Sequence, residues 1–593
     1  MTRANPFTAV GRPDRRQGVL LCLILIVVLV FAGRLVYVQA IAGPALAQAA
    51  RDERVRTEPI PAQRGEVLDS NGTVLATSVE TYDVIVDQRQ IPNFDQLDED
   101  GEVIGQGAAA AAELLAPILD RDPAELGAEL VGERGYYRLA TRVAPEVWQE
   151  IAELGIDGIS SERSSQRSYP NGNTAGNILG WVNNEGDGAA GIESTLNDRL
   201  LGTPGVSEVE IGASGHVIPT GYQSTTPAIA GCDVHLSVDS DLQWHAQSVI
   251  DESVDTWGAE WGAVAVIETR TGRVLALADS DSVDPNNPMA SDEDERGARS
   301  VQNSYAPGST GKVLTVLSAL EEGVIDPTST IANPYRHTMP NGQTFTDHTF
   351  HEDQDLTTTG ELAESANTSS VLIGAEMDNQ TRYEYMRAMG WGERTGMGLP
   401  GESPGILGHH EDWDGRTQYT TMFGQSVNVN LVQNTNVFAT IGNQGMAHQP
   451  RIVDGYTCDG EHEAVEEAEP QQVVSPDSSE EMIAMLESAT REGSSGTNAA
   501  VEGYRVAGKT GTAEIPDATG ALNDRAANFV GVAPAEDPEI AVGVVVVRPS
   551  SGIYGSVVAA PVFHDVTAYA LQRLGTPPSS EEPDLYPLHP SGS

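Results

Sequence analysis

Between Gln17 and Gly33 the chain reads "QGVLLCLILIVVLVFAG", an uncharged and mostly apolar run that constrains the fold before any other feature does. It predicts a helix at the short end of what spans a bilayer, with "LVYVQA" beyond Arg34 able to lengthen it. Arg12, Arg15 and Arg16 stand on its N-terminal flank, and cationic flanks stay in the cytoplasm. The expectation is a cytoplasmic segment 1–16, a single-pass anchor in the cytoplasmic membrane over 17–40, and an extracytoplasmic remainder. A cleaved signal peptide is the competing reading, since "ALAQAA" at 45–50 supplies the small residues a peptidase needs. That run lies well past the apolar stretch, with Arg34 between, which favours an uncleaved anchor.

The formal net charge is -52. A surface so acidic repels phosphate, so nucleic acid is excluded as a partner. It suits salty surroundings, where ions screen the repulsion among carboxylates. Of three cysteines, Cys22 falls in the apolar run, and Cys232 and Cys458 stand far apart in sequence. Without geometry to bring them together, two unpaired thiols are expected, a single disulfide being the alternative.

From 41 to 230, strand-like runs ("YDVIVD", "GVSEVEIG") mix with an alanine-rich helical segment, "GAAAAAELLAPIL", as in an extended α+β module. The acidic "DQLDEDGE" within it reads as a solvated loop. At 231 the texture changes. "CDVHLSVD" alternates as a strand does, "DLQWHAQSVIDESVD" has helical spacing, and "GAVAVIETRTGRVLALAD" is two apolar runs around a Thr-Gly turn. A second hairpin, "ANFVGVAPAEDPEIAVGVVVVRP", comes near the end, followed by a helical "VVAAPVFHDVTAYALQRLG". Strands at both ends of 231–575 enclose a mainly helical middle, which predicts an antiparallel sheet covered by helices, with a helical subdomain, in an α+β chain. The Pro- and Ser-rich segment 576–593 is expected to be disordered.

The chemistry is announced by a scarcity. The chain holds two lysines, Lys312 and Lys509, against 32 arginines. Arginine stays charged, whereas a desolvated lysine can lose its proton and act as a base. In "PGSTGKVLTVLSALEEG" Ser309 is expected at a helix start, with Lys312 three residues on and on the same face, so that the two side chains can meet. A serine beside such a base becomes a nucleophile. A phosphate-binding loop is excluded, because Ala306 stands where its first Gly is required and Val313 where Ser or Thr must follow the lysine. "GYRVAGKTGTAEI" reads as a strand in which Lys509, Thr510 and Thr512 offer an ammonium and hydroxyls to a carboxylate, while Gly511 lets a ligand approach the backbone. Between them "ELAESANTSSV" supplies Ser365, a hydroxyl for proton relay, and Asn367, an amide for a peptide backbone. Ser426 and Asn428 match the same Ser-x-Asn pattern and read as loop residues, as does "DHTFHED" at 347–353, whose histidines and carboxylates are not taken as a metal site.

Ser309-x-x-Lys312, Ser365-x-Asn367 and Lys509-Thr510-Gly511, in that order, resemble the three motifs of penicillin-binding proteins and serine β-lactamases. "RGEVLDSNG" (64–72) and "GIE" (191–193) resemble the pedestal of class B penicillin-binding proteins, and "YAPGSTGKV", "GLPGESPGIL" and "FVGVAPAEDPEIAV" their transpeptidase domain. The likeness is greatest to actinobacterial division-specific members, and one departure is Gly311, where many relatives carry Phe; its expected effect is looser packing beside the serine. The resemblance implies a pedestal over 41–230 and a transpeptidase domain over 231–575. It also implies a peptidoglycan D,D-transpeptidase that needs no cofactor and no metal. Ser309 would attack the stem peptide between its last two D-alanines with Lys312 as base, Ser365 and Lys509 relaying the proton and the N–H groups of Ser309 and Thr512 forming the oxyanion hole. Asn367, Thr510, Gly511 and Thr512 would hold the substrate. β-Lactams would trap Ser309, and the implied partners are an FtsW-like glycan polymerase of the SEDS family and other division proteins. A D,D-carboxypeptidase or β-lactamase using the same residues, and a non-enzymatic division scaffold or penicillin sensor, are the alternatives.

Overall fold

A computed structural model describes residues 13–43, 48, 54–98, 100–212, 217–491, 494–517 and 519–590. The first twelve residues and most of "ALAQAA" therefore lie outside the described residues. The rest divides into two compact units, one of residues up to 62 with 203–229, the other of 63–202 with 230–593.

In the first unit, helix α1 (Pro13–Val36) continues as a wider helical turn through Tyr37–Ile41. Residues 15–41 form one apolar helix of 27 residues. At 1.5 Å per residue that is about 40 Å, enough to cross a hydrocarbon core of about 30 Å. A three-stranded antiparallel sheet, Val55–Ile60, Gly205–Glu210 and Gln223–Thr226, completes this unit.

The second unit carries the site. Among its helices, in chain order, are α2 (Ser240–Trp257), α3 (Lys312–Glu321), α4 (Thr358–Glu364), α5 (Asn367–Gly374), α6 (Leu431–Gly442) and α7 (Ala560–Leu574). Its main sheet has five antiparallel strands: β1 (Trp261–Glu268), β2 (Val274–Asp279), β3 (Ala507–Ile515), β4 (Asp524–Ala533) and β5 (Ile540–Val547). Their spatial order is β2-β1-β5-β4-β3, so the two expected hairpins meet in the middle and β3 forms an edge. Along β5, Ile540, Val542, Val544 and Val546 enter a core with α2 and α7, while Ala541, Val545 and Val547 enter the core on the opposite face, where α3 and α6 lie. Burial on both faces explains why this strand reads as a continuous apolar run.

A second sheet of seven strands takes residues from both sides of position 230. Val67–Leu68 pairs in parallel with Asp233–Leu236, which pairs in turn with Val453–Cys458. That last pairing brings Cys232 and Cys458, 226 positions apart, into a disulfide. Two unpaired thiols were the expectation; adjacent strands place the two Cα atoms 4.4 Å apart, which sequence distance conceals. Glu193 of "GIE" accepts from Arg64 of "RGE" at 2.7 Å and from Arg167 at 2.6 Å, with all three side chains buried.

Two further expectations change. "DQLDEDGE" is not a plain loop: Asp95–Leu97 pairs with Val103–Gln106 as a hairpin, and the Asp98 carboxylate accepts from the N–H of Asp100 and Glu102 in its turn. The C-terminal segment is ordered over 576–590. Ser579 N–H donates to Gly503, the Leu588 and Pro587 carbonyls accept from the N–H and hydroxyl of Thr357, and Tyr586 packs on the core. Composition argued for disorder, but these bonds fasten the segment to Thr357, the residue that caps α4.

Candidate active site

The nucleophile candidate sits on a turn, not a helix. Gly308 adopts φ +58, and residues Gly308–Gly311 form a 3-10 turn that feeds into α3. The α-helix expected to start at Ser309 starts instead at Lys312, because the residues before it are wound as the tighter 3-10 turn. The turn is fastened by Gly308 N–H to Gly424 O (2.9 Å), Thr310 hydroxyl to Pro307 O (2.9 Å), Asn434 amide to Thr310 (3.1 Å) and Asn528 amide to Pro307 O (3.1 Å). Ser309 remains half-buried at its apex.

Gly311 faces inward. A Cβ there would lie 2.8 Å from Gly424 Cα and 3.3 Å from the Trp391 ring. The packing beside the serine is therefore tight, not loosened as expected, because Trp391 and the Gly424 backbone fill the space.

Ser365 is the hub. It occupies a left-handed conformation (φ 62) between α4 and α5. Lys312 Nζ donates to the Ser365 carbonyl at 2.5 Å and approaches its hydroxyl at 3.4 Å, while Lys509 Nζ donates to the same hydroxyl at 2.9 Å. Both lysines of the chain thus converge on one residue, and both are fully buried. The expected Ser309–Lys312 hydrogen bond is not formed; the ammonium turns to Ser365 instead. Burial pulls the Lys312 amine down to about 8, although the carboxylates of Glu361 and Asp347 push it up. Burial also lowers Lys509, followed by the charge of Lys312 and opposed by Glu361. Desolvation, more than mutual repulsion, is what makes these amines easy to deprotonate.

Thr512, on edge strand β3, approaches the turn that carries Ser309: a Cβ on Gly308 would lie 2.9 Å from the Thr512 carbonyl. Its hydroxyl accepts from Gly555 N–H at 3.1 Å, which leaves the hydroxyl proton to donate elsewhere. Thr510 is buried, with its hydroxyl on Ser495 at 3.4 Å, and the Lys509 ammonium also reaches the Thr510 carbonyl at 3.2 Å. The close neighbours of Gly511 are the Asn528 side chain and the Pro307 carbonyl, where an approaching ligand was expected. Asn367 opens α5, half-buried, with its amide donating to Thr346 O at 3.3 Å. The rival Ser-x-Asn is engaged elsewhere, Ser426 with the Thr420 hydroxyl at 2.8 Å and Asn428 by backbone pairing with Ile406.

Sequence reasoning missed two acids. Glu361 is fully buried on α4, one turn before Ser365, and accepts from the Ser370 hydroxyl. Its spacing of four from Ser365 was the available signal, obscured because an acid in a helix reads as solvated. Asp347, expected in a loop, is buried and accepts from Thr368 N–H (2.9 Å) and from His351 (2.9 Å). It fastens the start of α5. Among the described residues no three of His, Cys, Asp and Glu gather as a metal would require.

Residues 262–568 match the penicillin-binding protein transpeptidase domain, and residues 59–236 the penicillin-binding protein dimerisation domain. The chain is 30% identical to the peptidoglycan D,D-transpeptidase FtsI of Escherichia coli K12, over 95% of this chain and 92% of that protein. It is similar to the crystal structure of a peptidoglycan synthetase from Bifidobacterium adolescentis, with 34% identity, a TM-score of 0.73, and coverage of 90% of this chain and 100% of that one. Penicillin-binding protein 3 of Mycobacterium tuberculosis, complexed with aztreonam, gives 25% identity, a TM-score of 0.69 and the same coverage.

Proposed function

Since this chain belongs to the class B penicillin-binding proteins, we propose that it cross-links peptidoglycan as a D,D-transpeptidase whose nucleophile is Ser309. The observation that carries this reading is the convergence of Lys312 and Lys509 on Ser365, beside the turn that presents Ser309.

Ser309 Oγ attacks the carbonyl between the terminal D-alanines of a stem peptide and passes its proton to the neutral Lys312 amine. The negative oxygen of the tetrahedral intermediate lies against the N–H groups of Ser309 and Thr512. As the C–N bond breaks, the departing D-alanine amine takes a proton through Ser365, whose hydroxyl already accepts from Lys509. An amine of a neighbouring stem then attacks the ester, loses a proton to the same groups, and releases Ser309 with a new amide bond formed. Lys509 and the Thr512 hydroxyl hold the terminal carboxylate, Thr510 and Gly511 support them from β3, and Asn367 orients the donor peptide. β-Lactams acylate Ser309 by the same attack. The anchor points its N-terminus to the cytoplasm, so the site works on the outer side, in septal synthesis beside an FtsW-like polymerase.

Labelling with a fluorescent penicillin followed by peptide mapping tests this. An adduct on Ser309 alone is expected; an adduct on Ser365 overturns the assignment. Turnover with and without an acceptor amine separates transfer from hydrolysis.

A further inference from the structure

Glu361 has no part in the mechanism above, yet it occupies the most consequential buried position near it. It lies on α4, fully buried, one helical turn before the residue to which both lysines donate. One carboxylate oxygen accepts from the Ser370 hydroxyl, while Oε2 is buried with no partner among the described residues. A carboxylate stripped of water with one hydrogen bond is costly unless opposite charge stands nearby. The opposite charge here is the lysine pair. The other acid facing Lys312, Asp347, is already satisfied by the N–H and hydroxyl of Thr368 and by His351. The charged groups facing the pair are thus Glu361 from α4 and Asp347, one residue after Thr346, with Lys312 also acting on Lys509.

We propose that Glu361 is a positioning residue whose buried carboxylate sets how many protons the two lysines share, so that the pair keeps one ammonium while its other amine is a free base. This rests on the reading of Lys312 as base and Lys509 as relay. One anion against two cations favours losing one proton and resists losing both, because the last ammonium keeps a counter-charge that the first did not need. Burial drives the Glu361 carboxyl up and the Lys312 charge draws it back, the reciprocal of the push that Glu361 exerts on both amines.

The test is the pH profile of acylation by a fluorescent penicillin, measured on the full chain in detergent. For Glu361→Gln both limbs are expected to move to lower pH by about one unit, since removing a nearby anion makes each ammonium easier to deprotonate. A profile that stays in place, or a rate that falls by one factor at every pH, overturns the proposal and leaves the site reading intact. A parent profile without an acid limb removes the lysine base and this proposal together. Labelling lysine Cε with 13C gives a reading that needs no variant, because the chain contains two lysines. Two signals with midpoints more than about one pH unit apart are expected, whereas a shared midpoint overturns the proposal.

Discussion

Lys509 donates to the Ser365 hydroxyl at 2.9 Å, joining the edge strand β3 to a residue 144 positions earlier that is lodged between two helices. Sheet and helical region are thereby tied together at Ser365. The lysine cannot be read as a surface cation, since it is fully buried.

Replacing Lys312 by Arg should damage acylation as much as replacing it by Ala, by about 100-fold or more. Guanidinium keeps the charge but cannot accept the serine proton, and its planar fork does not fit where an ammonium reaches the Ser365 carbonyl. Fluorescent-penicillin kinetics on both variants checks this. An Arg variant retaining a tenth of the parent rate would remove Lys312 from the role of base.

The acylation rate should rise with pH and level off near 8. Burial lowers the Lys312 amine to about 8, and only its neutral form takes a proton, so each unit below that costs about tenfold. A rate constant that is flat from pH 6 to pH 8 contradicts this.

Much of this architecture was legible in the sequence because it is local. The hairpins β1–β2 and β4–β5 announced themselves by paired apolar runs, and the three motifs by residue type and spacing. What stayed hidden depends on contacts across long separations. Cys232 meets Cys458 through strand pairing, Arg64 meets Glu193 through a buried network, and Glu361 is buried only because α4 packs into the site. The C-terminal segment was misread for the same reason: its Pro and Ser residues lack a core of their own, but Thr357 offers its N–H and hydroxyl to the segment's carbonyls.

Ending the chain at Gly575 should destabilise the catalytic unit. The two bonds to Thr357 and the Ser579 bond to Gly503 would be lost, at about 1 kcal/mol each, together with the packing of Tyr586. Thermal unfolding should shift down by several degrees, and acylation should slow because α4 carries Ser365 at its end. An unchanged melting temperature would mean the segment rests on the surface without holding it.

Reducing the Cys232–Cys458 bond, or replacing both residues by Ser, should lower unfolding stability by about 2–5 kcal/mol, because the bond closes a very long loop in the unfolded chain. Unfolding with and without reductant measures this, and non-reducing peptide mapping must show the linked pair. Coincident curves from a protein whose disulfide is present would refute the stabilising role.

Gly311→Ala places a methyl group where the structure has none to spare. Its Cβ would approach the Gly424 Cα at 2.8 Å, and a backbone atom cannot rotate aside as a flexible side chain would. Gly424 itself accepts the Gly308 N–H that fastens the catalytic turn, so relief of the clash must move the turn carrying Ser309. Overpacking of this kind costs about 1–3 kcal/mol, and the displaced turn should slow acylation while the fold survives. Melting temperature and penicillin labelling measured on one preparation separate the two effects. If the variant melts and labels like the parent, the Gly311–Gly424 contact is not what positions the serine.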